Sequence, residues 1–411
     1  MTFDQLVNCQ LSHVTGHMSL RSKLNLIYLS EFLIFFHLFG GVLIPFFTGW
    51  GGLSLTELMT LQAWFSLCVF LFEIPTGTLA DQIGRRNTVV LSYLINIVGV
   101  IFYVIYPSFW VFMIAEAFWA LSAAMASGAK EALVYETLID HKVEKESKTI
   151  FGRFKMSHLW GLMISAPIGS FLGSLWGPQW VVLLMVIPFT LAVLCLLFLP
   201  EPKSQRLPED QTRMSFRDQM VSGWKYFRTH PYLRIMTFDM VWIWTLAFMI
   251  IWFQQVVLEE AGVDESWFGW FVTFGIASQL VVLKLYPLLE KMFRSKKQVL
   301  TFSGLLPAVG FFLLAFFPSW YTVLIALAFC SGFGLTRRTL YASYMNKYID
   351  SHHRATVNSY INIGINVTGF IVKPALGFLA DASLFATFLF LSIGCFLVVG
   401  VSKVEEAMLI D

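Results

Sequence analysis

Long apolar stretches of about twenty residues recur along the whole chain and are separated by short polar segments. An α-helix of this length crosses the ~30 Å hydrocarbon core of a bilayer. Hydropathy predicts twelve such spans, and their boundaries are defined to within a few residues. In chain order they lie near 24–47, 59–80, 88–106, 110–133, 151–175, 180–199, 232–257, 266–289, 298–317, 320–344, 355–379 and 383–402. The sequence therefore predicts an all-α membrane protein.

The composition supports this class. Hydrophobic residues make up 57% of the chain and charged residues only 13%, whereas soluble domains carry about 25% charged residues. The net charge of +2 gives no indication of nucleic-acid binding. The five cysteines are widely separated and fit neither a metal-site spacing nor a disulfide framework, and the first twenty residues lack the apolar core of a cleavable signal peptide. The first span is thus expected to act as its own insertion signal.

The distribution of basic residues predicts the topology. One set of connections is short and contains no lysine or arginine, while the other set includes both termini and the central linker. All but three of the 28 basic residues belong to the second set or to the adjoining helix ends; the exceptions are Lys130, Lys284 and Lys373. By the positive-inside rule, both termini are predicted to be cytoplasmic. We expect a multi-pass protein of a bacterial cytoplasmic (inner) membrane.

The chain divides into two related halves. A shift of 208 residues places Glu31 on Asp239 and Gly161 on Gly369, which indicates an internal repeat of six spans. The longest polar segment lies between these halves. The predicted organisation is an N-terminal segment 1–23, a bundle 24–199, a cytoplasmic linker 200–231, a second bundle 232–402 and a tail 403–411.

The turn after the second span carries the most specific motif, Gly77-Thr-Leu-Ala-Asp81-Gln-Ile-Gly84-Arg85-Arg86. Together with the twelve spans in two halves, it resembles the major facilitator superfamily, whose signature here is Gly-x-Leu-Ala-Asp-Arg/Lys-x-Gly-Arg-Lys/Arg-Lys/Arg. The chain departs from it at Gln82 and Asn87. Segments 72–77 and 127–135 resemble a bacterial subgroup of efflux and uncharacterised carriers. The resemblance implies two pseudo-symmetric six-helix bundles and transport without a cofactor.

The resemblance also implies that Gly77, Asp81, Gly84, Arg85 and Arg86 form a conformational latch. Asp81 is expected to face the N-terminus of a helix of the other half, near 354–356, where free N–H groups carry partial positive charge. Arg85 is expected to pair with an acid at the end of the fourth span, and the candidates are Glu131 and Glu136. The alternative is that these residues serve only topology and tight packing.

Acidic residues within predicted spans are candidates for proton coupling, because an unpaired charge in the bilayer is costly. Glu31 in the first span is the strongest candidate, followed by Glu73, Asp239 and Glu116. Each could instead tie two helices together through a base or a backbone group.

Polar residues within spans are candidates for lining a substrate cavity. Asn358, Asn362 and Asn366 recur every four residues in the eleventh span, and Lys373 shares their helical face. His37 and Arg337 complete the cavity candidates. The alternatives are hydrogen-bonded ties between helices for the asparagines and anchoring at the membrane surface for Arg337.

No phosphate-binding loop is present in the sequence, so nothing in this chain predicts ATP-driven pumping. A membrane enzyme and a receptor or scaffold with a carrier fold are the rival classes. An enzyme would need a cluster of acids and histidines at one membrane face, and the predicted outer loops contain no histidine. A receptor would be expected to carry a large extra domain, and the sequence predicts none. We expect a monomeric, proton-coupled secondary transporter in the lipid bilayer that exports a small amphiphilic molecule; uptake of a siderophore-like or other anionic metabolite is the main alternative.

Overall fold

The computed structural model describes residues 18–202, 216–350 and 354–409, except for the side chains of 74, 75, 77–81, 216–221 and 354–356. The described residues contain twelve helices or helical stretches long and apolar enough to cross a membrane, which confirms the predicted number. No strand occurs among them. Twelve crossings, an even number, return the chain to the side on which it began. We call this side, where span 1 begins and span 12 ends, the terminal side.

The first six spans comprise eight α-helices. In chain order these are α1 (Leu20–Ile34), α2 (Leu55–Ile83), α3 (Arg85–Ile105), α4 (Phe109–Ala126), α5 (Ala129–Asp140), α6 (Ser147–Trp176), α7 (Pro178–Leu184) and α8 (Val186–Leu197). Span 1 continues beyond α1 as a 3₁₀-helix, Leu38–Gly41, and a π-helix, Pro45–Trp50. Spans 4 and 6 each consist of two helices in sequence.

The remaining helices form a linker element and six further spans. They are α9 (Phe216–Thr229), α10 (Pro231–Phe248), α11 (Ile250–Glu260), α12 (Phe268–Met292), α13 (Lys296–Phe316), α14 (Trp320–Leu327), α15 (Leu335–Met345), α16 (Arg354–Ala382) and α17 (Leu384–Val401). A π-helix, Ala328–Gly334, joins α14 to α15 within span 10.

The chain forms two compact units. The first contains 1–42, 50–52 and 64–210, and the second contains 43–49, 53–63 and 211–411. The start of α2 therefore belongs to the second unit. There, the Asp381 carboxylate accepts hydrogen bonds from the backbone N–H groups of Leu55 and Thr56, both at 2.9 Å. An acid at a helix N-terminus satisfies N–H groups that have no partner within the helix.

The same kind of cap recurs in each unit, where the third span of a half begins. Glu201, just after α8, accepts from the backbone N–H of Arg86 at 3.0 Å. Glu406, just after α17, accepts from the backbone N–H groups of Lys296 at 3.0 Å and Lys297 at 2.8 Å. Burial acts to raise the pKa of Glu406, but these N–H groups outweigh it and hold the pKa below its usual value. In each half of the chain, an acid that follows the last of the six spans thus caps the helix of the third span.

Candidate functional site

Span 1 is interrupted in the first unit where the candidate site lies. α1 ends at Ile34, and the backbone then turns through Phe35 and His37 before the 3₁₀-helix begins. Gly40, Gly41 and Pro45 disfavour a continuous helix in this region, since glycine loses entropy and proline lacks an N–H. The break places polar backbone groups within the span, so they require close partners.

Small residues on α6 allow the interrupted span to approach closely. A methyl group at Gly161 would lie 2.5 Å from the carbonyl oxygen of Phe32, and one at Gly169 would lie still closer to the carbonyl oxygen of Leu38. Small residues spaced in this way let two backbones pack together in a membrane. The same contact brings His158, one turn before Gly161, alongside α1.

Glu31 is buried between two nitrogen-bearing side chains. Its Oε2 atom lies 3.0 Å from Nζ of Lys130, and its Oε1 atom lies 3.4 Å from Nδ1 of His158. The glutamate side chain is only 4% exposed, whereas Lys130 and His158 are 15% and 18% exposed. The carboxylate is therefore buried more deeply than Lys130 and His158, and both of these side chains extend toward a more open space.

Aromatic rings surround this charge cluster. The Lys130 ammonium lies 4.7 Å from the ring centre of Phe35 and 5.1 Å from that of Tyr93. The Phe35 ring contacts the imidazoles of His37 and His158. A cation over an aromatic face is favoured by the ring quadrupole, so the two rings stabilise the ammonium in addition to Glu31.

These side chains line a cavity of about 640 Å³. Its polar lining includes Glu31, His37, Asn96, Ser122, Lys130 and His158. Its aromatic lining includes Phe35, Phe65, Tyr93, Trp119, Phe151 and Phe154. This volume and the mixture of rings with a few convergent polar groups are typical of a site for a small organic molecule. Glu31 and His37, both predicted from the sequence, are thus brought together in one cavity.

The equivalent acid in the second unit lies in a closed ion pair. Asp239 accepts hydrogen bonds from Nη2 of Arg337 and from the Tyr341 hydroxyl, the latter at 2.6 Å. Arg337 also donates to Oγ of Ser303 at 2.6 Å and is 1% exposed. The adjoining cavity is only about 50 Å³. Asp239 was predicted as a candidate for proton coupling and Arg337 as a candidate for the cavity lining. In the structure they form one buried ion pair.

The predicted asparagine face on α16 is partly engaged. The Asn362 side-chain oxygen accepts a hydrogen bond from Nη2 of Arg338 at 2.8 Å, and Lys373 is buried and donates to the carbonyl of Gln62 at 3.0 Å. Asn358 is exposed and Asn366 is half-buried. Their role in lining a substrate path stays a prediction.

The other predicted acids have different surroundings. Glu73 is half-buried on α2 and forms no ion pair with the described residues. Glu116 on α4 is buried and is hydrogen-bonded to the hydroxyl of Tyr103. Neither lines the Glu31 cavity, so the structure gives these two acids no common site with it.

The turn between α2 and α3 carries part of the predicted latch. Gly84 adopts a φ of 96°, which favours glycine, and it lies against the carboxylate of Glu201. Arg85 contacts Glu136, with Nε 3.1 Å from Oε1, while Glu131 lies at the cavity. Arg86 pairs with Glu201 at 3.6 Å. The surroundings of Gly77 and the side chain of Asp81 lie outside the described residues.

Three site residues were not assigned from the sequence. Lys130 was noted only as a basic residue within a span, and His158, a histidine within the predicted fifth span, was given no role. Glu201 lies in the predicted linker, where an acid carries no signal of its own. The informative signal was the isolated charge of Lys130, because an intramembrane lysine requires a partner.

Sequence comparison identifies the family. The profile of the Major Facilitator Superfamily matches residues 26–259. An uncharacterised MFS-type transporter, YxaM of Bacillus subtilis (strain 168), is 22% identical over 349 residues, covering 80% of this chain and 82% of the relative. A D-xylose transporter of Levilactobacillus brevis is 29% identical over 182 residues, covering 41% of this chain and 39% of the relative.

Solved structures share the fold. The nucleoside transporter NupG matches with a TM-score of 0.74 at 13% identity, covering 94% of this chain and 100% of that one. A POT family transporter bound to a thioalcohol-conjugated peptide matches with a TM-score of 0.71 at 15% identity, covering 92% and 94%. The predicted fold of two six-helix bundles is thereby confirmed. The chain belongs to the Major Facilitator Superfamily and is a secondary transporter in a membrane.

Proposed function

We propose that this protein exports a small amphiphilic organic molecule in exchange for protons, by alternating access, and that the cavity beside Glu31 binds both. The observation that carries this proposal is the buried Glu31 carboxylate, which contacts Lys130 and His158 at the wall of an aromatic cavity of about 640 Å³. A proton and a substrate can thus compete for one set of contacts.

The chemistry of the pair supports proton coupling. A buried carboxylate is stable as an anion while Lys130 and His158 contact it, and protonation of Glu31 removes the charge that holds the lysine. A substrate donor group or cation that contacts the Glu31 anion loses its partner in the same way, so a proton and the substrate exclude one another at this carboxylate, as exchange requires. Proton binding and substrate binding are thereby linked through one ion pair.

The cavity lining supports an amphiphilic substrate. Six aromatic side chains provide apolar surface, whereas Asn96 and Ser122 provide neutral hydrogen-bonding groups beside the ion pair. A molecule with a flat apolar part and one or two polar groups would satisfy both kinds of surface. The D-xylose relative aligns with less than half of this chain and gives no separate support for a sugar.

Uptake of an anionic metabolite is the second candidate. It is favoured by Lys130 and Lys155, which both line the cavity and could receive an acidic group. An anion would compete with Glu31 for Lys130, whereas a cation would compete with Lys130 for Glu31. The charge preference of the site therefore separates the two candidates.

Transport by the purified protein in proteoliposomes tests the proposal, using a substrate first found by thermal-shift screening. Glu31→Gln should abolish accumulation driven by a pH gradient but preserve binding and exchange without a gradient. Glu73→Gln serves as the rival-acid variant, and Glu259→Gln, at an exposed position in the last turn of α11, controls for expression. Unchanged pH dependence in Glu31→Gln, or its loss in Glu73→Gln alone, would overturn the role of Glu31.

A further inference from the structure

A groove on the surface of the second unit lies between the terminal-side ends of α10 and α17. It has a volume of about 560 Å³, within the range of about 300–1,000 Å³ seen for ligand pockets. Its lining consists of Pro231, Arg234, Ile235, Phe238, Val401 and Lys403. The groove therefore combines apolar walls with two basic side chains.

The two basic side chains have no acidic partner within the described part of the chain. Arg234 and Lys403 are both exposed, and neither forms an ion pair with a described residue. Arg234 lies on α10 and Lys403 lies just beyond the end of α17, and both line the same groove. Two positive charges without a counterion among the described residues are complementary to an anion.

The apolar wall extends from these charges into the membrane-spanning part. Phe238 lies one turn along α10 from Arg234 on the same helical face, and Ile235 lies beside it. Phe238 is 48% exposed and Val401 is 59% exposed, although both belong to spans. The groove thus offers positive charge at the membrane surface and apolar contact deeper in the bilayer.

Two other surface grooves provide a comparison. One, of about 670 Å³, is lined by Trp176, Trp180 and aliphatic residues of α7 and α8. The other, of about 440 Å³, is lined by Trp64, Trp110 and other apolar residues. Neither has a charged lining residue, so both could accept an acyl chain of any lipid. The Arg234–Lys403 groove can in addition distinguish lipids by the charge of the headgroup.

We propose that the Arg234–Lys403 groove binds an anionic phospholipid. The phosphate contacts Arg234 and Lys403, and an acyl chain follows Ile235, Phe238 and Val401. Basic pockets between membrane helices recognise anionic headgroups by this combination of charge and apolar contact. Free phosphate would use the two basic residues but would leave the apolar wall without a function.

Native mass spectrometry of the full chain in detergent tests this site, with phosphatidylglycerol and phosphatidylcholine as probes. Wild type should retain phosphatidylglycerol in preference to phosphatidylcholine. The double variant Arg234→Gln/Lys403→Gln should bind phosphatidylglycerol about tenfold more weakly, with phosphatidylcholine unchanged. Lys291→Gln/Arg294→Gln is the matched control, because these exposed basic residues lie at and just beyond the terminal-side end of α12 and do not line the groove.

Each of the following results would overturn the proposal. Phosphatidylglycerol binding by the double variant at wild-type strength would exclude the groove. An equal loss in the control variant would show a general attraction of the basic surface. Competition by equimolar glycerol 3-phosphate would show a phosphate site that does not use the lipid chain. If the double variant fails to fold, Lys403→Gln alone, which lies beyond the last turn of α17, should show a smaller loss, and wild-type binding by that variant would also contradict the site.

Discussion

At the scale of single residues, the acids at the repeat-related positions 31 and 239 lie in contrasting pairs. Glu31 contacts a lysine and a histidine at the edge of a cavity, whereas Asp239 contacts an arginine within a closed space. Arginine keeps its charge at any physiological pH, whereas the Glu31 pair borders an open cavity and includes a histidine, whose charge can change. The Asp239–Arg337 pair is therefore suited to a permanent tie, and the Glu31–Lys130 pair is suited to exchange.

The Glu31–Lys130 pair leads to the first prediction. Lys130→Met should lower the free energy of unfolding by roughly 3–5 kcal/mol, because it removes the strongest partner of a buried carboxylate. The double variant Glu31→Gln/Lys130→Met should recover most of this loss, since no uncompensated charge remains. A double-mutant cycle on melting temperatures in detergent measures the coupling. Additive effects of the two single changes would mean that the pair does not act as a unit.

The sequence predicted the positions of these acids but not their partners. Glu31 could be identified because an acid within an apolar run is visible locally. Lys130 is 99 positions away, and its contact with Glu31 depends on how α5 packs against α1. Hydropathy carries no information about such packing, so the acid could be predicted but its ion pair could not.

At the scale of helices, the number of spans was predictable because each depends on a local run of apolar residues. The break after Ile34 was not, although Gly40, Gly41 and Pro45 are visible in the sequence. Glycine and proline also occur in unbroken spans: α6 contains Pro167, and α16 contains Pro374. A glycine or proline in the sequence therefore does not decide whether a helix breaks; in span 1 the break lies where glycines of α6 approach its backbone closely.

The second prediction concerns the face of α16 that carries the asparagines. In a background lacking the five native cysteines, Asn362→Cys and Asn366→Cys should react with a water-soluble, membrane-impermeant thiol reagent and be protected by substrate. Ile361→Cys should react much less because Ile361 is 6% exposed and packs in the core of the second unit. Val367→Cys should also react little, since its 45% exposure would be to lipid.

Reaction rates measured by mass spectrometry provide the comparison. Similar rates at all four positions, or no reaction at any of them, would mean that the asparagines tie helices together. The substrate path would then lie elsewhere, and the hydrogen bond between Asn362 and Arg338 would be sufficient to explain that amide.

At the scale of the whole molecule, the turn between α2 and α3 is expected to control the transport cycle. Its described contacts join Arg85 to Glu136 and Arg86 to Glu201, so the turn is attached to α5 and to the end of α8. Asp81, for which the resemblance to the family signature implies a latch role, belongs to the same segment. A change at Asp81 or Glu136 should therefore affect rate more than folding.

The third prediction follows from this attachment. Asp81→Asn and Glu136→Gln should each slow transport several-fold in proteoliposomes, while the melting temperature stays close to that of wild type. The exchanged pair Arg85→Glu/Glu136→Arg should recover part of the rate, because opposite charges still face each other. Glu146→Gln, an exposed acid in the same part of the chain, should leave the rate unchanged. Transport at the wild-type rate in the first two variants would assign the turn to topology alone.

The cap formed by Glu406 also affects how the protein should be handled. The segment that follows α17 is fixed to the terminal side: besides that cap, Lys296 Nζ donates to the Leu409 carbonyl at 3.0 Å and the Tyr348 hydroxyl donates to that of Met408 at 3.1 Å. If the chain were shortened to Lys403 and joined there to an affinity tag, these contacts would be lost and the first N–H groups of α13 would have no partner. Purification handles and fluorescent fusions should therefore follow Leu409 through a flexible spacer.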